Sequence, residues 1–183
     1  MHTDGSGVFG VSVPNLARAR QVPPQGDEPS EQWIQDESLV IAVMSGLLLL
    51  ARDARDQAAA GGEALMRAQI FPISEKQPTR LARTRHYGFL DPLGDRVLTM
   101  PPPPAEATAE LDDLAQPGPM LAATTALLVD DIAQAFGVAE MPQLSHDGQL
   151  RQRYWGYPQM ITWAEENGIA VIDDTITHLR VCR

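Results

Sequence analysis

Thirteen residues from Leu39 to Ala51 contain no charge, and only Ser45 and Gly46 interrupt their apolar run. A membrane span needs about twenty such residues, and here Asp36 and Glu37 stand before the run and Arg52 and Asp53 after it. The stretch therefore reads as a helix surrounded by protein: a central core helix, or one partly covered by a second subunit. Ser30 can cap its start and Gly61-Gly62 its end, near Ala60. Ala42 and Gly46 lie four apart and Leu50 four further on, a flat patch for close helix contact and the candidate interface of a homodimer.

The rest of the chain must supply the cover. With 183 residues, 44% of them hydrophobic and 21% charged, there is material for one globular domain and not for two. Residues 1–29 hold Pro14, Pro23, Pro24 and Pro29 among several glycines and read as a flexible arm. Gly5, Gly7 and Gly10 have the G-x-G-x-x-G spacing, but no strand precedes them and Pro14 interrupts the stretch where a helix would have to begin, so a dinucleotide site is rejected. Residues 30–183 then form a single α+β domain, in which the long buried helix and a second amphipathic helix pack on a small antiparallel sheet.

Leu65–Ile73, Arg80–Leu90 and Val97–Met100 read as a three-stranded meander. Pro101 to Pro104 begin a stiff stretch, with a short acidic helix from Ala105 to Ala115, so that residues 101–118 make a linker inside the domain. From Pro119 onward, Leu121, Thr125, Leu128, Val129, Ile132 and Phe136 share one helical face, and Gly137 stands at its end. Pro158 and Gly168 bracket a third helix, and Ile169–Ile172 with Thr175–Val181 suggest a closing hairpin.

Charge narrows the partners. The formal net charge is −10, which opposes binding to nucleic acid or anionic lipid. Residues 74–100 nevertheless carry five basic and three acidic groups, whereas residues 101–147 carry eight acidic groups and no basic one. The basic segment belongs to an internal echo. Arg83-Thr84-Arg85-His86-Tyr87-Gly88-Phe89 and Arg151-Gln152-Arg153-Tyr154-Trp155-Gly156-Tyr157 both read R-x-R, two rings, glycine, aromatic. On strands, alternation groups Arg83, Arg85 and Tyr87 on one face and Arg151, Arg153 and Trp155 on another. These six are the candidate ligand-binding residues, because guanidinium forks grip phosphate or carboxylate while a ring stacks. The structural alternative is that the arginine stems cover the core and the rings belong to it.

Catalytic patterns are sparse. His2, His86, His146 and His178 form no H-x-H or H-E-x-x-H pattern, and no G-x-S-x-G elbow occurs. Asp112-Asp113, Asp130-Asp131, Glu165-Glu166 and Asp173-Asp174 are adjacent pairs, which point about 100° apart on a helix and share no ligand. No metal and no cofactor is expected. Cys182 is the single cysteine and Met1–Gly10 lacks a secretory pattern, so a reducing cytoplasm is the expected compartment. The resulting expectation is a non-catalytic cytoplasmic regulatory or protein-interaction domain, its partner another protein or a second copy, with no membrane or DNA role. The alternatives are an anion-binding module, for nucleotide, phosphate or acidic peptide, and a small hydrolase using His86 or His146.

Overall fold

The computed structural model describes residues 5–11, 32–72, 76–84 and 90–173. Trp33 and Ile34 suit a pleated, half-buried ribbon better than a helical turn. They lie in strand β1 (Gln32–Gln35), which pairs in parallel with β3 (Thr79–Thr84); β3 pairs antiparallel with β4 (Leu90–Pro92). The long helix α1 (Asp36–Ala58) therefore starts six residues after Ser30, with Gln35 at its N-cap. At its far end Ala59 takes the left-handed conformation ahead of the two glycines, and Ala60 N–H closes on the Ala54 carbonyl. Ser30 lies outside the described residues.

The meander expected from the sequence does not form. Strand β2 (Glu63–Ala68) pairs antiparallel with β5 (Ala105–Glu110) instead of with β3, and Val97–Met100 contributes one bridge, Leu98 to Thr79. The acidic helix expected over Ala105–Ala115 is thus a strand followed by a single helical turn, α2 (Leu111–Leu114). Ala and Glu are good helix formers, but here they alternate. Ala105, Ala107 and Ala109 face inward while Glu106, Thr108 and Glu110 face water, and Arg67 on β2 pairs with Glu106 at 2.7 Å. Period two, supplied with a partner strand, overrides propensity.

The second helix follows its pattern. In α3 (Pro119–Gln134) and the turn after it, Leu121, Thr125, Leu128, Val129, Ile132 and Phe136 are all buried. α3 packs on α1 and on β5, and α2 fills the angle between the two helices. Arg52 donates from Nε to the Ala115 carbonyl at 3.1 Å, so Asp56 pairs with Arg55 and not with Arg52. The last described elements are two short parallel strands, β6 (Leu150–Arg151) and β7 (Val171–Ile172), around α4 (Pro158–Glu166). Ile169–Ile172 is consequently not a hairpin arm with a described partner; residues 175–181 lie outside the described residues.

The architecture is α+β, with the two long helices packed on small mixed and antiparallel sheets. Among the described residues, no helix is long and apolar enough to cross a membrane. Neighbouring leucines on α3 allow a direct check of the packing. Leu128 is fully buried and Leu127 is 47% exposed, so Leu128→Ala should cost about 2–5 kcal/mol in denaturant unfolding. Leu127→Ala should cost less than about 0.5 kcal/mol.

Candidate functional site

Two places on the molecule collect the residues singled out from the sequence, and both are built on α1. The first is its N-terminus. Asp36 and Glu37 open the helix, where carboxylates oppose the positive end of the helix dipole, yet both are almost completely buried. Asp36 Oδ1 accepts from the Glu37 backbone N–H at 2.9 Å. Its Oδ2 accepts from Gln143 Nε2 at 2.6 Å and from Arg83 Nε at 3.3 Å. Glu37 Oε2 accepts from the Gly156 N–H at 3.0 Å, and a β-carbon at position 156 would stand 3.2 Å from Glu37 Oε1. Glycine is what lets that backbone come so close.

Gln143 extends the network. Its carbonyl accepts from Trp155 Nε1 at 3.1 Å and from the Arg151 N–H at 3.0 Å. Its Oε1 is buried and has no hydrogen-bond partner among the described residues. Arg83 and Arg153 both lie over the ring of Tyr154, at 5.4 and 4.8 Å from its centre, a contact of about 0.5–2 kcal/mol each. The two echo segments therefore do meet, though not as two matching strand faces. Residues 152–154 form a turn of 3-10 helix, which breaks the alternation: Trp155 enters the core, and Arg151 pairs with Glu140 at 3.0 Å. Arg85 and Tyr87 lie outside the described residues.

Burial is the main influence on Asp36 and Glu37 and holds both carboxyls above their ordinary range. For Asp36 the hydrogen bonds from the Glu37 N–H, Gln143 and Arg83 work against it. For Glu37 the Gly156 and Tyr157 N–H groups and Arg83 oppose it, while the neighbouring Asp36 carboxylate reinforces it. This junction locks together segments distant in sequence, and its arginines are turned onto groups of the chain itself.

The second place is a groove of about 630 Å³ between α1 and the N-terminal segment, lined by Ala42, Gly46 and Leu50 with Trp33, Ile70 and Phe71, and walled on the segment's side by Val8 to Val11. All three residues of the candidate helix-contact patch line it. Within the chain, among the described residues, the N-terminal segment lies beside them. A β-carbon at Gly46 would lie 2.7 Å from Phe9 Cδ1, and its three nearest atoms all belong to the Phe9 ring. Nearer the end of α1, Gly5 lies against the methyl groups of Ala54, Ala58 and Ala60. The cover remains partial, since Phe71 is 70% and Leu49 54% exposed.

Of the histidines considered for catalysis, His86 is outside the described residues. His146 Nε2 is 2.6 Å from Asp130 Oδ2, while Asp130 Oδ1 accepts from the Met141 N–H at 2.6 Å. Ser145, next to His146 in the chain, accepts from the Gln149 N–H through Oγ at 3.1 Å. The two Asp130 contacts clip the loop after α3 to the helix, and the Ser145 bond closes a turn within that loop. Among the described residues, no three His, Cys, Asp or Glu side chains gather as a metal ion requires. Comparison of the chain with protein-family models, curated proteins and solved structures returns no match.

Asp36, Glu37, Gln143 and Phe9 are not marked as site residues by the sequence. The two acids stand there only as flanks of an apolar run, and nothing local distinguishes Gln143. Phe9 sits inside a glycine spacing of which Gly5 packs closely on the end of α1.

Because both pKa values are raised on folding, Asp36 and Glu37 contribute most to stability where they are protonated, below the unfolded carboxyl range near pH ~4. That contribution is lost as pH rises through their folded values. The unfolding midpoint should thus fall as pH rises from ~4 through the range in which the two folded carboxyls ionise, and Asp36→Asn should flatten that slope. An unchanged slope in thermal unfolding of Asp36→Asn would show that the cluster does not carry it.

Proposed function

We propose that this chain is a non-catalytic protein-interaction domain, working in the cytoplasm, which docks an extended apolar segment of a protein partner in the groove along α1. One observation carries the reading: Val8 to Val11 already wall this groove against α1, with the Phe9 ring seated where α1 has a glycine. The space left beside them, about 630 Å³, lies in the range of ligand-binding clefts, about 300–1,000 Å³. The floor consists of small and aliphatic side chains, and Gln32, Gln69 and Arg67 stand at its polar margin. A site of that make-up rewards buried apolar contact with a few orienting hydrogen bonds. A homodimer through Ala42, Gly46 and Leu50 uses the same surface and must first move Phe9 off Gly46.

The test is selection of short peptides from a random library on the full chain, with Gly46→Leu and Leu50→Arg as counter-selections. Aromatic-containing apolar peptides should be enriched, and both substitutions should weaken them at least tenfold. Peptides that bind the variants as well as the parent chain, or no enrichment at all, would end the docking reading.

An anion-binding module is the second reading, favoured by the convergence of Arg83 and Arg153 on Tyr154. Arg153 is exposed, whereas Arg83 is tied to Asp36. A salt-sensitive rise in melting temperature with inorganic phosphate or a nucleotide, abolished by Arg153→Ala, is the expected signature. No shift in the parent chain would remove this alternative.

A further inference from the structure

We infer that residues 5–11 are the groove's resident ligand in cis, that the partner segment resembles them, and that it binds by displacing them. The partner is then an extended segment with an aromatic residue and, four positions before it, a glycine. This rests on the docking reading, and goes further by naming the segment's pattern and how access to the groove is controlled.

The fit along α1 sets the pattern. Phe9 lies over Gly46, and Gly5 lies against Ala54, Ala58 and Ala60, so the segment runs opposite to the helix. Four residues of extended chain reach ~13 Å, and the eight-residue step from Gly46 to Ala54 rises ~12 Å along a helix. One extended segment thus reaches both points without slack. Both points favour glycine. At position 46 a β-carbon would stand 2.7 Å from Phe9 Cδ1, so the ring would have to shift off the helix. At position 5 a β-carbon would stand 2.8 Å from Ala60 Cβ, and φ there is +81°, which disfavours every residue except glycine.

The hold is incomplete in a way that suits displacement. Val8 is 95%, Val11 54% and Phe9 38% exposed, so of three large apolar side chains only the phenylalanine is mostly covered. A second opening, lined by Gly7, Val8, Phe9, Leu49, Leu50 and Asp53, flanks the segment on its other side. Little apolar area is buried per residue ordered, and ordering costs conformational entropy at every position. Tethering offsets this. Only the twenty residues 12–31 separate the segment from β1, and a link of that length gives an effective concentration on the order of millimolar. A weak segment therefore occupies the groove in cis, and an incoming one of the same pattern binds with an affinity lowered by the occupied fraction.

The experiment uses the full chain and a fluorescein-labelled synthetic peptide with the sequence of residues 4–12, read by fluorescence anisotropy. Phe9→Ser and, separately, Gly5→Val free the segment from opposite ends, and circular dichroism checks that both variants stay folded. Each should bind the peptide at least fivefold more tightly than the parent chain. Adding Gly46→Leu to either should abolish binding, as should replacing phenylalanine by alanine in the peptide. Equal affinity for the parent chain and both variants would overturn cis occupancy. Absence of binding to all of them, while library-selected peptides still bind, would overturn the resemblance and leave the docking reading standing. Failure of both kinds of peptide would remove the docking reading as well.

Discussion

The buried carboxylate of Asp36 is the point on which the far ends of the fold are hung. It accepts from Arg83 on β3 and from Gln143 in the loop after α3, residues 47 and 107 positions away in sequence. Glu37 beside it accepts from Gly156, 119 positions away. A buried carboxylate without such partners is strongly destabilising, so each donor must be delivered together with the helix start. The coupling runs both ways: α1 begins where the donors are, and the 143–157 segment takes its irregular path because its amides and indole answer to that corner. Burial still outweighs the compensation, which is why both carboxyls remain raised.

With its start anchored, α1 divides the molecule. On one side α3, α2 and β3 cover it and form the main core. On the other it presents Ala42, Gly46 and Leu50 to a groove that, among the described residues, a seven-residue segment crosses. The helix is thus unevenly covered, and the groove beside it is built almost wholly from uncharged side chains although the chain as a whole is acidic. Of the two arginine segments, Arg83 and Arg153 meet on Tyr154 beside the anchored corner, and Arg83 pairs there with Asp36.

Features with a strong local period are legible in the sequence. The six-residue face of α3 appears there at helical spacing and is buried as a set, and the length and flanks of α1 mark it as no membrane span. Composition misleads where it competes with period. Ala105–Glu110 has helix-forming residues but alternates, and its inward alanines have meaning only opposite β2. The start of α1 falls later than Ser30 because Gln32–Gln35 becomes a strand only in the presence of β3, more than forty residues on.

What the sequence by itself determined is the inventory: one buried helix, one amphipathic helix, a net charge hostile to nucleic acid, and a small-residue patch at Ala42 and Gly46 awaiting a close contact. Those properties follow from side-chain chemistry repeated at a helical or strand period, which acts within a few residues. Tertiary structure alone decided which strand pairs with which, that Asp36 would be buried against Arg83 and Gln143, and that the Phe9 ring would lie against Gly46. Each of these joins residues tens of positions apart, and no local period records such a pairing. The choice among them depends on satisfying all the buried polar groups and filling all the space at once.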